Sequence, residues 1–105
     1  MPTTTSPTRD AAHVLLDLMV TFDPETSEEV NATALKTAFQ RMGEIDAVVL
    51  THDDDTDEMH LDITPLLTAT GYLMNLLLTY IAEKAGQEPI AVAALLREMV
   101  DANIE

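Results

Sequence analysis

The residues best suited to chemistry lie in one acidic stretch in the middle of the chain. Six of the ten residues from Asp53 to Asp62 are carboxylates, and His52 and His60 stand beside and among them. No lysine or arginine occurs between Arg41 and Lys84, so these carboxylates have no basic neighbour in the sequence. Carboxylate oxygen suits hard divalent cations, and imidazole suits transition metals. The stretch is therefore the first place to look for a metal site.

Three of its aspartates, Asp53, Asp55 and Asp57, match the first, third and fifth ligand positions of a calcium-binding loop. The match ends there, because Glu58 stands where the loop needs glycine and Thr64 where it needs a bidentate glutamate. A looser divalent-cation site remains a hypothesis, with candidate ligands His52, Asp53, Asp55, Asp57 and His60. We favour the alternative, a solvated hairpin tip whose charge prevents aggregation. We therefore expect no resident cofactor.

Catalytic groups are few elsewhere. The chain has no cysteine, and its only serines, Ser6 and Ser27, stand where helix caps belong. His60 and Asp62 would share one face of a strand and could form an imidazole–carboxylate pair, but such neighbours occur constantly without catalysis. The three glycines stand apart, so there is no glycine-rich phosphate loop. We predict that the chain is not an enzyme.

Apolar residues at helical spacing predict two helices before the acidic stretch. Ser6-Pro7 reads as a cap followed by proline at the first helical position, and Asp23-Pro24 ends this first helix. Thr26 with Glu29 has the spacing of a capping box at the start of the second, and Gly43 stands where its C-terminal cap belongs.

Two runs of period-two alternation, in Ile45–Leu50 and Met59–Thr64, flank the acidic loop and predict an antiparallel hairpin. The second run has one polar face. The first carries Val48 and Leu50 on its second face, which leaves apolar surface without an assigned neighbour. An isolated hairpin is marginal in water, so it must pack on helices or on another chain.

Two more helices follow. Thr64-Pro65 begins the third, Gly86 ends it, and Glu88-Pro89 begins the fourth. The third helix is apolar on nearly all sides, which predicts a buried central helix. Its apolar run, Leu66–Ala82, is short for a membrane span, is interrupted by polar residues and lacks basic flanks, so we expect no membrane association.

The polar stripe of the third helix contains Gly71, Asn75 and Thr79 at four-residue spacing. Small and polar residues in such a row allow another helix to approach closely. Together with Val48 and Leu50, they suggest the interface of a homodimer, which would cover apolar area that a chain of this size struggles to cover alone.

The spacing of Ala82, Gly86 and Val92 matches the core pattern of a helix-turn-helix unit and predicts two helices that cross at a tight turn. DNA binding does not follow from it. The fourth helix carries only one basic residue, Arg97, whereas phosphate contacts from lysine and arginine supply most non-specific affinity. We expect no direct contact with nucleic acid.

Taken together, these patterns predict a helix-rich α+β domain in the order α-α-β-β-α-α, with the hairpin packed on the central third helix. The chain has 105 residues, of which 47% are apolar, and a formal net charge of -14. We predict a flexible arm over residues 1–6 and one domain over residues 7–105. The first ten residues lack a basic and an apolar signal region, so the cytoplasm is the expected location.

A small acidic interaction module (an adaptor, regulator or assembly factor) is the leading functional hypothesis, as a homodimer that could also bind a basic protein. One alternative is an acidic mimic of nucleic acid that inhibits a DNA-binding protein. Another is a divalent-metal protein that uses the His52–Asp62 hairpin. The acidity could equally reflect genomic composition or a salty cytoplasm rather than a partner.

Overall fold

The computed structural model describes residues 6–104 and contains four helices and one two-stranded antiparallel sheet. The elements are α1 (Pro7–Thr21), α2 (Glu28–Glu44), β1 (Val49–Asp53), β2 (Glu58–Asp62), α3 (Thr64–Ala85) and α4 (Pro89–Asn103). The predicted class, a helix-rich α+β fold, and the order α-α-β-β-α-α are both confirmed. Of the arm predicted over residues 1–6, only Ser6 lies within the described residues.

Serine caps begin the first two helices. The hydroxyl oxygen of Ser6 accepts a hydrogen bond from the backbone N–H of Arg9 at 3.2 Å, and that of Ser27 accepts one from Val30 at the same distance. Each bond satisfies one of the backbone donors that a helix start leaves free. The capping residue of α2 is therefore Ser27, one residue after the predicted Thr26.

The end of α2 is formed by Asp46 instead of the predicted Gly43. The helix runs through Gly43, and Asp46 adopts a left-handed conformation with φ of 60°. The N–H of Ala47 donates to the Met42 carbonyl at 2.9 Å, and the N–H of Asp46 donates to the Gly43 carbonyl at 3.3 Å. This is the Schellman arrangement, which aspartate tolerates although glycine favours it.

This helix end also shortens the first strand. Residues 45–48 turn off the helix, so β1 begins at Val49 and not at Ile45. Ala47 is fully buried, and Ile45 and Val48 pack against the same core. In residues 45–48 the alternation of apolar and polar residues reflects a turn that packs against the core. This alternation has the same period as a strand, so the two cannot be told apart in the sequence.

The chain divides into two compact units, Met1–Thr70 and Gly71–Glu105, and the boundary falls within α3. The prediction of one domain over residues 7–105 stays a prediction. The core of the first unit is small and rich in alanine. Its buried members come from α1, α2, the turn after α2 and the first turns of α3: Ala11, Val14, Ala38, Met42, Ala47 and Ala69.

A buried asparagine holds the connection between α1 and α2. Asn31 donates from its side-chain nitrogen to the Asp23 carbonyl at 2.7 Å and accepts from the Asp23 N–H at 3.1 Å. Both polar atoms of the amide are thus satisfied, as burial requires. The sequence alone does not indicate this role of Asn31.

The second unit is a pair of helices joined by a tight turn, as the spacing of Ala82, Gly86 and Val92 predicts. Ala82 and Val92 are buried, and Gly86 has φ of 65°, a conformation that glycine adopts without strain. The N–H of Gln87 donates to the Ala82 carbonyl at 3.0 Å, which closes the end of α3.

The packing of α3 and of the hairpin differs from the prediction. Most apolar side chains of α3 are exposed, including Leu67, Tyr72 and Leu76, so the helix is not a buried central one in this chain. Every residue of β2 is exposed as well, so β2 does not form part of a buried layer. An apolar pattern shows which side chains should avoid water, but it does not show whether the covering surface belongs to the same chain.

By length and composition alone α3 could also cross a membrane, a test that core helices of soluble proteins pass too.

Candidate functional site

The register of the hairpin sorts its side chains onto two faces. Residues directly opposite each other in an antiparallel pair share a face. The pairs Leu50–Leu61 and His52–Met59 form one face, which we call the apolar hairpin face. The pairs Val49–Asp62, Thr51–His60 and Asp53–Glu58 form the other, which we call the polar hairpin face.

The apolar hairpin face is open to solvent. Leu50 is 61% exposed, Leu61 63% and Met59 57%. Val48, which we predicted to share this surface with Leu50, is half-buried against the core of the first unit instead. The sequence therefore identified Leu50 but missed its cross-strand neighbours, because only the register shows that Leu61 and Met59 lie on the same face.

The tip of the hairpin is built by its own carboxylates. The imidazole of His52 lies between two of them, with Nδ1 3.0 Å from Asp54 Oδ1 and Nε2 2.8 Å from Asp57 Oδ1. The N–H of Asp55 donates to Asp53 Oδ1 at 2.9 Å, and Asp57 adopts φ of 56°. Aspartate suits such turns because its side chain bonds to nearby backbone and tolerates the left-handed conformation.

Of the five candidate metal ligands, His52 and Asp57 are in contact, but the five do not converge on one point in this structure. His52 projects from the apolar hairpin face, whereas Asp53 and His60 project from the polar one. Both ring nitrogens of His52 already contact carboxylates of the tip, Asp54 and Asp57. Within residues 6–104, no group of three or more histidine, aspartate or glutamate side chains is placed to hold a metal ion.

The polar hairpin face does not assemble the imidazole–carboxylate pair that the sequence suggested. His60 Nε2 lies 3.7 Å from Glu58 Oε2. The carboxylate of Asp62 instead accepts a hydrogen bond from the Thr64 backbone N–H at 2.9 Å. Hydrogen bonds from the Thr64 side chain and backbone hold the pKa of Asp62 below its usual value of 3.8. Asp62 thus supports the start of α3.

A second apolar surface lies in the Gly71–Glu105 unit, in a groove between α3 and α4 of about 700 Å³, which we call the α3/α4 groove. The α3 side contributes Met74, Leu77, Leu78 and Ile81, and the α4 side contributes Ala93, Leu96 and Val100. Asn75, Arg97 and Asp101 supply its polar atoms. Of the remaining predicted interface residues, Gly71 and Thr79 are exposed on the same helix but do not line the groove.

A smaller groove of about 470 Å³ lies between α1 and α2. Arg41 Nη1 contacts Asp17 Oδ2 at 2.9 Å in the wall of this groove, with both side chains largely exposed. Exposed pairs of this kind contribute about 1 kcal/mol or less to stability. The sequence alone does not indicate this pair, because the two residues stand 24 positions apart.

Comparison with known proteins finds no matching family model, no matching curated protein and no matching solved structure. The two surfaces of this chain that could bind another molecule are the hairpin and the α3/α4 groove.

Proposed function

We propose that this chain is an acidic, non-enzymatic protein-interaction module. It self-associates, and it binds a basic partner protein through its hairpin. The observation that carries the proposal is the exposed apolar hairpin face, which stands next to a dense group of carboxylates. A partner with an apolar contact surface surrounded by lysine and arginine would complement both features.

The apolar part supplies the affinity. Leu50, Met59 and Leu61 are each more than half exposed on one face of a two-stranded sheet. Removing such side chains from water stabilises a complex by about 25 cal/mol per Å² of apolar surface. Exposure of these side chains to water raises the free energy of the free chain, so binding of a partner that covers them is favoured.

The acidic part supplies the selectivity. The tip carries Asp53, Asp54, Asp55, Asp57 and Glu58, and two of these, Asp54 and Asp57, contact only a histidine among the ion pairs of the described residues. Like charges placed opposite each other cost several kcal/mol, so acidic surfaces are rejected and basic ones are accepted.

The test is capture of partners by the tagged chain from nuclease-treated host lysate at low and high salt. We expect a basic protein in stoichiometric amount, and we expect its capture to be lost with the double variant Leu50→Thr/Leu61→Thr. His60→Thr, on the polar hairpin face, is the matched control and should retain the partner. The proposal would be contradicted if both variants captured the partner equally. It would also be contradicted if the captured protein were not basic.

A second candidate function is that of a nucleic-acid mimic, which the six carboxylates among residues 53–62 favour. In that case the partner binds DNA, and duplex DNA competes with this chain for it. Competition with a purified partner decides between the two, because a mimic and DNA exclude each other while an adaptor and DNA need not. Binding by a mimic must also weaken with salt, as phosphate contacts do.

A further inference from the structure

We infer that the α3/α4 groove is the surface on which a second copy of this chain packs, so that two pairs of helices form a four-helix bundle. The inference rests on the self-association included in the proposed function and names the surface that carries it. It does not depend on the basic partner of the hairpin.

The helix pair in the Gly71–Glu105 unit leaves most of its apolar side chains uncovered. Its buried apolar side chains are Leu73, Ala82 and Val92, within the part of the chain that the structure describes. Met74 and Val100, which line the groove, are 63% and 50% exposed. Two helices bury only the line along which they touch, and bundles cover the remaining apolar faces with further helices.

The groove has the residue spacing of a bundle. On α3 its apolar side chains stand at positions 74, 77, 78 and 81, and on α4 at positions 93, 96 and 100. Steps of three and four residues are those of a helix that buries a stripe against a neighbouring, nearly parallel or antiparallel helix. The helices also match in length, since α4 has 15 residues and residues 71–85 of α3 span as many.

Charge selects a second copy as the occupant. Arg97 and Asp101 stand four residues apart on α4, both at the groove. In a two-fold symmetric pair whose axis crosses the antiparallel α4 helices level with Met99, each Arg97 lies opposite Asp101 of the other copy. No ion pair joins Arg97 to a carboxylate within residues 6–104, so its guanidinium is free to make this contact.

The distribution of charge along the chain favours the same choice. Fourteen of the nineteen acidic residues lie in residues 1–70, whereas the groove itself contains one arginine and one aspartate. Two copies of a chain with a net charge of -14 repel each other least where they meet at such a balanced surface. A strongly basic or strongly acidic helix would find no complementary excess of charge there.

The test is the mass of the full-length chain in solution, measured by sedimentation equilibrium over a range of concentrations. We expect twice the monomer mass of 11.5 kDa. Arg97→Asp places like charges opposite each other and should weaken dimerisation by about tenfold or more. Adding Asp101→Arg reverses both charges, restores the complementary contact and should return the dissociation constant to near its original value.

A second variant, Met74→Ser/Val100→Ser, tests the apolar part and should also yield monomers. The four substituted positions, Met74, Arg97, Val100 and Asp101, are all exposed. Circular dichroism melts verify that the variants fold. The double variant Leu50→Thr/Leu61→Thr is the control from outside the groove and should remain dimeric. If it alone yields monomers, the hairpin and not the groove is the dimer interface, and the inference is overturned.

A monomer at all concentrations, or a dimer that none of the groove variants affects, also overturns the inference. So does a chain that is monomeric in buffer but floats with phosphatidylcholine vesicles, since a lipid surface would then be the occupant. Failure of the basic partner is a separate result, because a monomeric Arg97→Asp chain should still capture that partner through the hairpin.

Discussion

Two aspartates, Asp46 and Asp57, take left-handed backbone conformations, and the first of them ends α2. A side chain with a Cβ atom pays a steric cost in that conformation which glycine avoids. Asp46→Gly should therefore raise the free energy of unfolding by about 0.5 kcal/mol, after the greater chain entropy of glycine in the unfolded state is subtracted. Urea unfolding monitored by circular dichroism measures the difference.

Gly86, at φ of 65°, provides the reverse control. No neighbouring atom lies within 4 Å of an added Cβ, so Gly86→Ala tests backbone strain alone. We expect Gly86→Ala to lower the free energy of unfolding by about 1 kcal/mol. If both substitutions change stability in the same direction, backbone conformation does not govern these two helix ends.

Asp62 is the residue whose titration should affect folding. Its pKa is lowered in the folded chain by the hydrogen bonds from Thr64. A lowered folded-state pKa stabilises the fold fully above the unfolded-state value of about 3.9 and ceases to do so as the pH falls through the folded-state value. NMR titration of the Asp62 carboxyl should show a midpoint below 3.8. In Asp62→Asn that part of the acid-dependent loss of stability should disappear, and an unchanged acid profile would contradict the assignment.

At the scale of elements, the helix starts were predictable to within one residue, because capping is local. Ser6, Pro7 and Pro89 act within one turn of the backbone that they cap, so the sequence alone identifies them. The end of α2 was not predictable in the same way. Two residue types compete for the left-handed position there, and glycine is the commoner choice although Asp46 holds it.

The candidate site was predictable in composition but not in arrangement. The sequence located the acidic hairpin and Leu50, but the two faces follow from the pairing of β1 with β2, which the alternation within each strand does not give. A one-residue shift of that pairing would change which side chains of the two strands share a face. For the same reason the sequence grouped His52 with His60, which the register separates.

The hairpin should not depend on a metal ion. The carboxylates of Asp54 and Asp57 are held by His52, and the candidate ligands point to both faces of the sheet. We expect the melting temperature to stay the same in EDTA, Ca²⁺, Mn²⁺ and Zn²⁺ at 1 mM, after allowance for ionic strength, because only an ion bound by the native state raises stability. A rise of several degrees with one ion, abolished by Asp57→Asn but not by Asp10→Asn, would reinstate the metal hypothesis.

At the scale of the whole molecule, the two proposed interactions should respond to salt in opposite directions. Two copies of a chain with a net charge of -14 repel each other, and salt screens that repulsion over about 10 Å at 0.1 M. A basic partner is attracted by the same charge, so salt weakens its binding.

Raising NaCl from 0.05 M to 0.5 M should therefore strengthen the dimer, because its exposed Arg97–Asp101 contacts are weak and its apolar contacts are insensitive to screening. The same change should weaken binding of the basic partner. Sedimentation measures the dimer and calorimetry the partner complex. Salt effects of the same sign on both would show that one of the two surfaces is assigned wrongly.

The carboxylates at the hairpin tip also have a kinetic consequence. A compact group of like charges attracts an oppositely charged protein before contact, so it increases the rate of encounter more than it lengthens the life of the complex. Neutralising Asp55 should slow association at low salt and leave dissociation nearly unchanged, whereas Leu50→Thr should mainly speed dissociation. In the proposed interaction, the tip of the hairpin would therefore govern how fast a partner binds, and the apolar hairpin face would govern how long that partner stays bound.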